Sequence, residues 1–200
     1  RKRGTLTPAT VNVALKKNNE LAAISSPAAK RILGKLEPYT RSLETGRFIA
    51  RVSGRLIKAW NKNKRFDYSF MDEYDFQPYH PIYELFPGSH PANIDKNEIM
   101  LDLKIRPGSF LKLSKLITAY YIELVLLSGD PSKLNKLRVQ SDTSPLYTSK
   151  STHHCKLRVS LPTQKGPWMA MIKVNSHEGN ELAFHPRHYA MKVLKTGFVA

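Results

Sequence analysis

Cysteine is nearly missing. Cys155 is the single one in 200 residues, which rules out an internal disulfide framework and a multi-thiolate metal site. Acidic residues are scarce as well, 16 against 32 Lys and Arg, for a formal charge of +16. No apolar run reaches the roughly 18 residues that carry a helix across a bilayer, and the longest, Ile117 to Leu127, is broken by Glu123. Catalytic signatures are missing too. There is no G-x-S-x-G elbow, no Walker loop and no G-x-G-x-x-G, so serine-hydrolase and nucleotide-cofactor chemistry have no support and no cofactor is expected. Zinc-finger, RRM and helix-turn-helix signatures are likewise not found, nor is any internal repeat.

What is present fits a globular protein, with 41 % hydrophobic and 24 % charged residues. A chain of this length buries around 70 % of its unfolded surface, enough for one well-filled domain. The positive charge is segregated. Residues 1–70 hold 16 basic and 4 acidic side chains, net +12; residues 71–100 are net −5; residues 101–200 are net +9. An acidic belt (Asp72, Glu73, Asp75, Glu84) thus separates two positive regions, and such a field attracts polyanions.

The pattern along the chain predicts an α+β fold. Arg1-Lys2-Arg3 form a basic arm without the apolar run of a secretory signal. That favours a cytoplasmic protein, although the start without Met leaves an upstream piece open. A hairpin is expected over 10–24, with Lys16-Lys17-Asn18-Asn19 as its turn. Ser25-Ser26-Pro27 reads as a helix start, with Pro38 interrupting that helix after about Leu36. A second helix is expected from Tyr39 to about Lys62, burying Ile49, Val52, Leu56 and Trp60 at helical spacing. Residues 71–97 read as an aromatic and proline-rich connection with a short strand at Tyr83 to Phe86. From 98 to 200, alternating runs around Leu101, Leu137, Tyr147, Leu157, Trp168, Ala183 and Met191, plus Ile117 to Leu127 as a central strand, predict an antiparallel β-sandwich of immunoglobulin-like size. The expected units are therefore a basic hairpin and helical arm (1–70), a connection (71–97) and the sandwich (98–200).

The order of these parts carries a resemblance. Lys2-Arg3-Gly4-Thr5-Leu6, then a hairpin, then Ser26-Pro27-Ala28 opening a helix and a strand-rich half closing on a Tyr-containing strand, is similar to a family of uncharacterised basic proteins of about this length common in Bacteroidota. The chain departs from that group in lacking a glycine-rich hairpin and in its aromatic linker. The resemblance implies an architecture and a bacterial source, and no activity.

Three readings of function follow. The first is a non-catalytic binding or assembly protein that meets an acidic partner with Arg47, Arg51, Arg55, Lys58, Lys62, Lys64 and Arg65, the cationic face and end of the second helix. The second is a nucleic-acid binder, in which Phe66 and Tyr68 stack beside Lys62, Lys64 and Arg65; the competing expectation is that these rings pin the connection onto the sandwich. The third is a metal-dependent hydrolase built from His153, His154, His185 and His188. Successive residues on a strand face apart, so His153 and His154 share no face, and Cys155 is expected in the core. Asp72, Glu73 and Asp75 are expected to solvate a loop or to pair with the arginine-rich helix. Met169 and Met171 are expected to be covered by the helices or a second sheet. Oligomerisation is open.

Overall fold

The computed structural model describes residues 8–87, 90–95, 97–107, 109 and 116–200; the basic arm Arg1-Lys2-Arg3 lies outside them. The first element is one long helix, α1 (Pro8–Thr40), in place of the expected hairpin and short helix. Leu21, Ser25, Ala28, Ala29, Ile32 and Leu36 are buried at intervals of three and four, which is a helical period. Lys16 to Asn19, read above as a turn, are exposed residues of the same helix, where Lys and Asn cost at most about 0.7 kcal/mol each. Pro27 and Pro38 sit inside α1. Pro27 therefore opens nothing; burial of Ala28, Ala29 and Ile32 beyond it carries the helix past a missing N–H.

The chain turns over 41–47 before α2 (Phe48–Asn63), so the second helix begins nine residues later than Tyr39. Arg47 before it and Lys64 after it adopt positive φ of 47° and 55°. Val52 and Leu56 are buried as expected, but the stripe is completed by Phe48 and Ala59, with Ile49 and Trp60 half-buried at its margins. Residues 83–86 form no strand: Pro81 precedes a single helical turn, α3 (Ile82–Leu85).

Among the described residues nine strands follow: β1 (Ala92–Asp95), β2 (Glu98–Ile105), β3 (Ile117–Ser128), β4 (Arg138–Thr143), β5 (Tyr147–Thr148), β6 (His153–Ser160), β7 (Gly166–Glu178), β8 (Glu181–Leu182) and β9 (Ala190–Val199). Every ladder among them is antiparallel. One sheet has the order β1-β2-β6. The other centres on β3 and β7; β4 and β5 pair with the outer edge of β3, β8 and β9 with that of β7, and this sheet curls as a half-barrel.

Period-two alternation explains how the layers stack. Ile122, Leu124 and Leu126 of β3, with Ala170, Ile172 and Val174 of β7, face Leu101, Leu103, Cys155 and Leu157 of the smaller sheet. The intervening Val125, Leu127, Met169 and Met171 face Ile32, Val52 and Leu56 of the helices. The central strands are apolar on both sides because both sides are covered, and the two methionines are buried where expected. Each buried Val, Leu, Ile or Met among them stabilises the fold by about 1.5–3 kcal/mol relative to exposure. On the other flank, the Arg158 N–H donates to Asp142 Oδ2 at 2.9 Å, tying β6 to β4.

Candidate anion-binding surface at one end of the sheets

Antiparallel pairing fixes which turns meet. Ser128 at the end of β3 lies opposite Arg138 and Trp168, and Gly166 and Pro167 lie opposite Val199 and Phe198. The β3–β4 turn (129–137), the β6–β7 turn (161–165) and the end of β9 therefore share one end of the molecule. Gly129 has φ +107°, and a Cβ there would stand 2.1 Å from the Lys136 carbonyl oxygen, so glycine alone closes this turn. The turn is anchored three ways. Gly129 N–H donates to Pro167 O at 2.8 Å, the Tyr68 hydroxyl donates to Gly129 O at 2.9 Å, and Arg31 Nη1 of α1 donates to Pro131 O and Ser132 O at 3.1 and 3.0 Å.

Between the two turns is a cleft of about 400 Å³ whose cations are Lys133, Lys136, Arg138 and Lys165. A second groove of about 250 Å³, lined by Arg31, Lys35, Lys133 and Leu134, runs between α1 and the same turn. The two share Lys133. Among the described residues Asp130 is the one carboxylate in either lining, and it is already engaged: Oδ1 accepts from the Ser132 N–H and hydroxyl at 2.9 and 2.6 Å, and Oδ2 lies 3.6 Å from Lys133 Nζ.

The residues expected to bind a polyanion are divided by the structure. Arg51 donates to four carbonyl oxygens, of Thr45, Gly46, Asp75 and Phe76, at 2.7–3.1 Å. Arg55 donates to Phe70 O, and both guanidiniums lie 4.9 Å from the Tyr74 ring centroid. These two arginines face the protein and clamp its backbone. Arg65 is paired with Asp67 at 2.9 Å and lies 3.9 Å from the Phe198 ring centroid. Asp67 is held below the usual carboxylate range because hydrogen bonds from Arg65, Ser69 and Asn63 together outweigh its burial. Arg47, Lys58, Lys62 and Lys64 are exposed. Phe66 stacks on Trp60 at 4.9 Å, and Tyr68 is buried; both rings pin the connection and neither is offered outward.

The four histidines of the hydrolase reading are not brought together. His153 stacks on Tyr147 at 4.5 Å, with Nε2 3.0 Å from Thr148 O. His154, on the other face, bonds Asp102. His185 and His188 lie in the turn before β9, their ring centroids 6.3 Å apart and His185 exposed. Among the described residues no group of three His, Cys, Asp or Glu side chains is placed to hold a metal ion. Burial pushes the Cys155 thiol up to about 11, against a smaller opposing hydrogen bond from Tyr147, as befits a core residue.

Asp72, Glu73 and Asp75 form no ion pair with the arginines of α2. Asp72 accepts from Thr196 Oγ1 at 2.8 Å and Glu73 pairs with Lys192, both on β9. Asp75 is pushed up to about 6 by burial, and its two oxygens accept from the Gln77 and Ile82 N–H groups at 3.3 and 2.8 Å, which shapes the approach to α3. The cleft residues Lys133, Lys136, Arg138 and Lys165 were missed from sequence. Their one linear trace is three cations within ten residues of Gly129, beside the lone Asp130. No protein-family model, curated protein or solved structure matches the chain.

Proposed function

We propose that the protein is a non-catalytic binding or assembly protein that engages an acidic partner through this basic end. The observation that carries the reading is the convergence of Arg31 and Lys35 from α1, Lys133 and Lys136 from the β3–β4 turn, Arg138 from the start of β4 and Lys165 from the β6–β7 turn on two grooves that share Lys133. Among the described residues a single carboxylate, Asp130, opposes them, and it is paired with Lys133. Arginines held by carbonyl oxygens, as Arg31 is, keep their full charge, because a dipole orients a cation without neutralising it. The face of α2 contributes less than its sequence promises, since Arg51 and Arg55 turn inward. Nothing in the placement of His153, His154, His185 and His188 favours the hydrolase reading.

For the scaffold we infer an immunoglobulin-like sandwich. Strands β1-β2-β6 facing β4-β3-β7-β9 follow the pairing of strands A, B and E on one sheet and C′, C, F and G on the other. Function is argued from the grooves and not from that scaffold.

The test is binding to a panel of polyanions (poly-L-glutamate, duplex DNA, single-stranded RNA) in 50 mM salt. At least one should bind, and replacing Lys136 and Arg138 by Glu should weaken it at least tenfold, in line with removal of close charge pairs. Silence from the whole panel at low salt would end the proposal.

A further inference from the structure

We infer that the acidic groups seated in the basic grooves are the backbone phosphates of duplex nucleic acid, bound without regard to base sequence. The inference rests on the acidic-partner reading above and narrows it.

The lining of the cleft decides between phosphate and carboxylate. Beside its four cations stand hydroxyl and amide donors, Ser128, Ser160, Thr163, Gln140 and Gln164. Lys and Arg mixed with Ser, Thr and Gln is the set that contacts phosphate and sugar in nucleic-acid complexes. An acidic protein partner would need a buried apolar or aromatic anchor at the centre of its interface; among the described residues the cleft offers Leu161 and Pro162, and the second groove Leu137 and the exposed Leu134, with no aromatic ring. Its extent decides between a small anion and a polymer. A single phosphate fills a fraction of 400 Å³, whereas the cations of the two grooves, which have Lys133 as a common wall, extend from Lys35 and Arg31 on α1 to Lys165 on the β6–β7 turn. The lack of rings decides between duplex and single strand. Sequence-tolerant single-strand binders stack bases on aromatic side chains, and among the described residues no aromatic lines either groove. Phe66 and Tyr68, the rings nearest in sequence to a basic cluster, are buried.

This surface is also rigid enough to position charge. Gly129 closes the turn, Arg31 and Tyr68 bind it to α1 and to the connection, and Lys136, Arg138 and Lys165 are exposed. Replacing those three side chains removes charge without removing core.

The experiment is fluorescence anisotropy of a labelled 20-base-pair duplex of arbitrary sequence, titrated between 50 and 200 mM NaCl. Lys133 is already paired with Asp130, so the other three cations of the cleft, neutralising about three phosphates, give a log–log salt slope of about −2.7, a loss of roughly 40-fold over that range. The neutral pair Lys136→Gln with Arg138→Gln should lower the slope by about 1.8, and Arg47→Gln with Lys58→Gln on α2 should leave affinity within twofold. A scrambled duplex should bind equally. Duplex binding that the cleft variants do not weaken, while they keep the native melting transition, overturns the inference. So does poly-L-glutamate binding at the cleft as tightly as the duplex at equal charge, or a single strand binding more tightly; either result leaves the acidic-partner reading standing. Failure of every polyanion takes both down together.

Discussion

A guanidinium aimed at carbonyl oxygens organises backbone while keeping its charge, and Arg51 shows what that does for this fold. Its donors reach Thr45 and Gly46 before α2 and Asp75 and Phe76 in the connection, so one side chain ties two irregular segments together. Lysine carries the charge without the planar fork. Arg51→Lys should therefore cost about 2 kcal/mol by urea denaturation, while Lys58→Ala on the exposed face should stay within about 0.5 kcal/mol; equal midpoints for both would show that Arg51 clamps nothing. Cys155 is a simpler case. Buried between the sheets, with its thiol pushed up to about 11, it should resist a thiol reagent at pH 8 in the native state and react when urea unfolds the chain. Fast labelling of native protein would mean that the core between the sheets opens. Burial of His90 and of Asp75 moves stability in opposite directions with pH. Burial takes His90 down to about 4, with Lys192 adding repulsion and Glu73 opposing it, so its contribution is whole above the ordinary value of 6.5 and is lost as pH falls toward 4. Asp75, pushed up to about 6 from 3.8, contributes fully below 3.8 and loses that contribution as pH rises through 6. His90→Phe removes only the first effect, so between pH 7 and pH 4.5 that variant should lose less stability than the native chain. An unchanged pH profile would place His90 in water.

At the scale of elements, the strands were legible and the helices only in part, for a physical reason. A strand with one face in the core writes its burial into alternate residues, as β2 and β6 do from Ile99 to Ile105 and from Cys155 to Val159. A strand covered on both faces writes a continuous apolar run, as β3 does. The short β1 exposes three of its four residues and left no trace. α1 shows no buried position among its described side chains before Leu21, so its first turns carry no period to read, and polar residues at 16–19 pass for a turn. Proline misled in the same place. Pro27 usually marks a first turn, yet here the helix was already running. Its side chain is exposed, so Pro27→Ala removes no packing, restores an N–H facing the Ala23 carbonyl and should raise stability by up to about 3 kcal/mol. A urea midpoint that falls instead would mean that the proline sets a bend on which the packing of α1 over α2 depends.

For the whole molecule, charge read along the chain located the excess and misplaced its use. Arg31 and Lys133 are about a hundred residues apart in sequence and meet because Arg31 bonds the carbonyls at the β3–β4 turn. No linear pattern encodes that meeting; it exists only once α1 lies across the curled sheet. Glu73 and Asp72 of the acidic belt, in turn, fold onto Lys192 and Thr196 of β9, which leaves Asp130 as the one carboxylate lining the cationic end among the described residues. A protein so charged repels itself, and the repulsion works against compactness. Its range falls to about 10 Å at 0.1 M salt, so NaCl raised from 10 to 300 mM should raise the melting temperature, by about 2–4 °C for each kcal/mol of repulsion screened. The neutral pair Lys136→Gln with Arg138→Gln should start from a higher melting temperature at 10 mM and gain less from salt, because two members of the repelling set are gone. If the native melting temperature instead falls as salt is added, attraction between paired charges governs this surface, the lysines of the turn are answered by carboxylates within the same chain, and a free cationic end for an external partner does not exist.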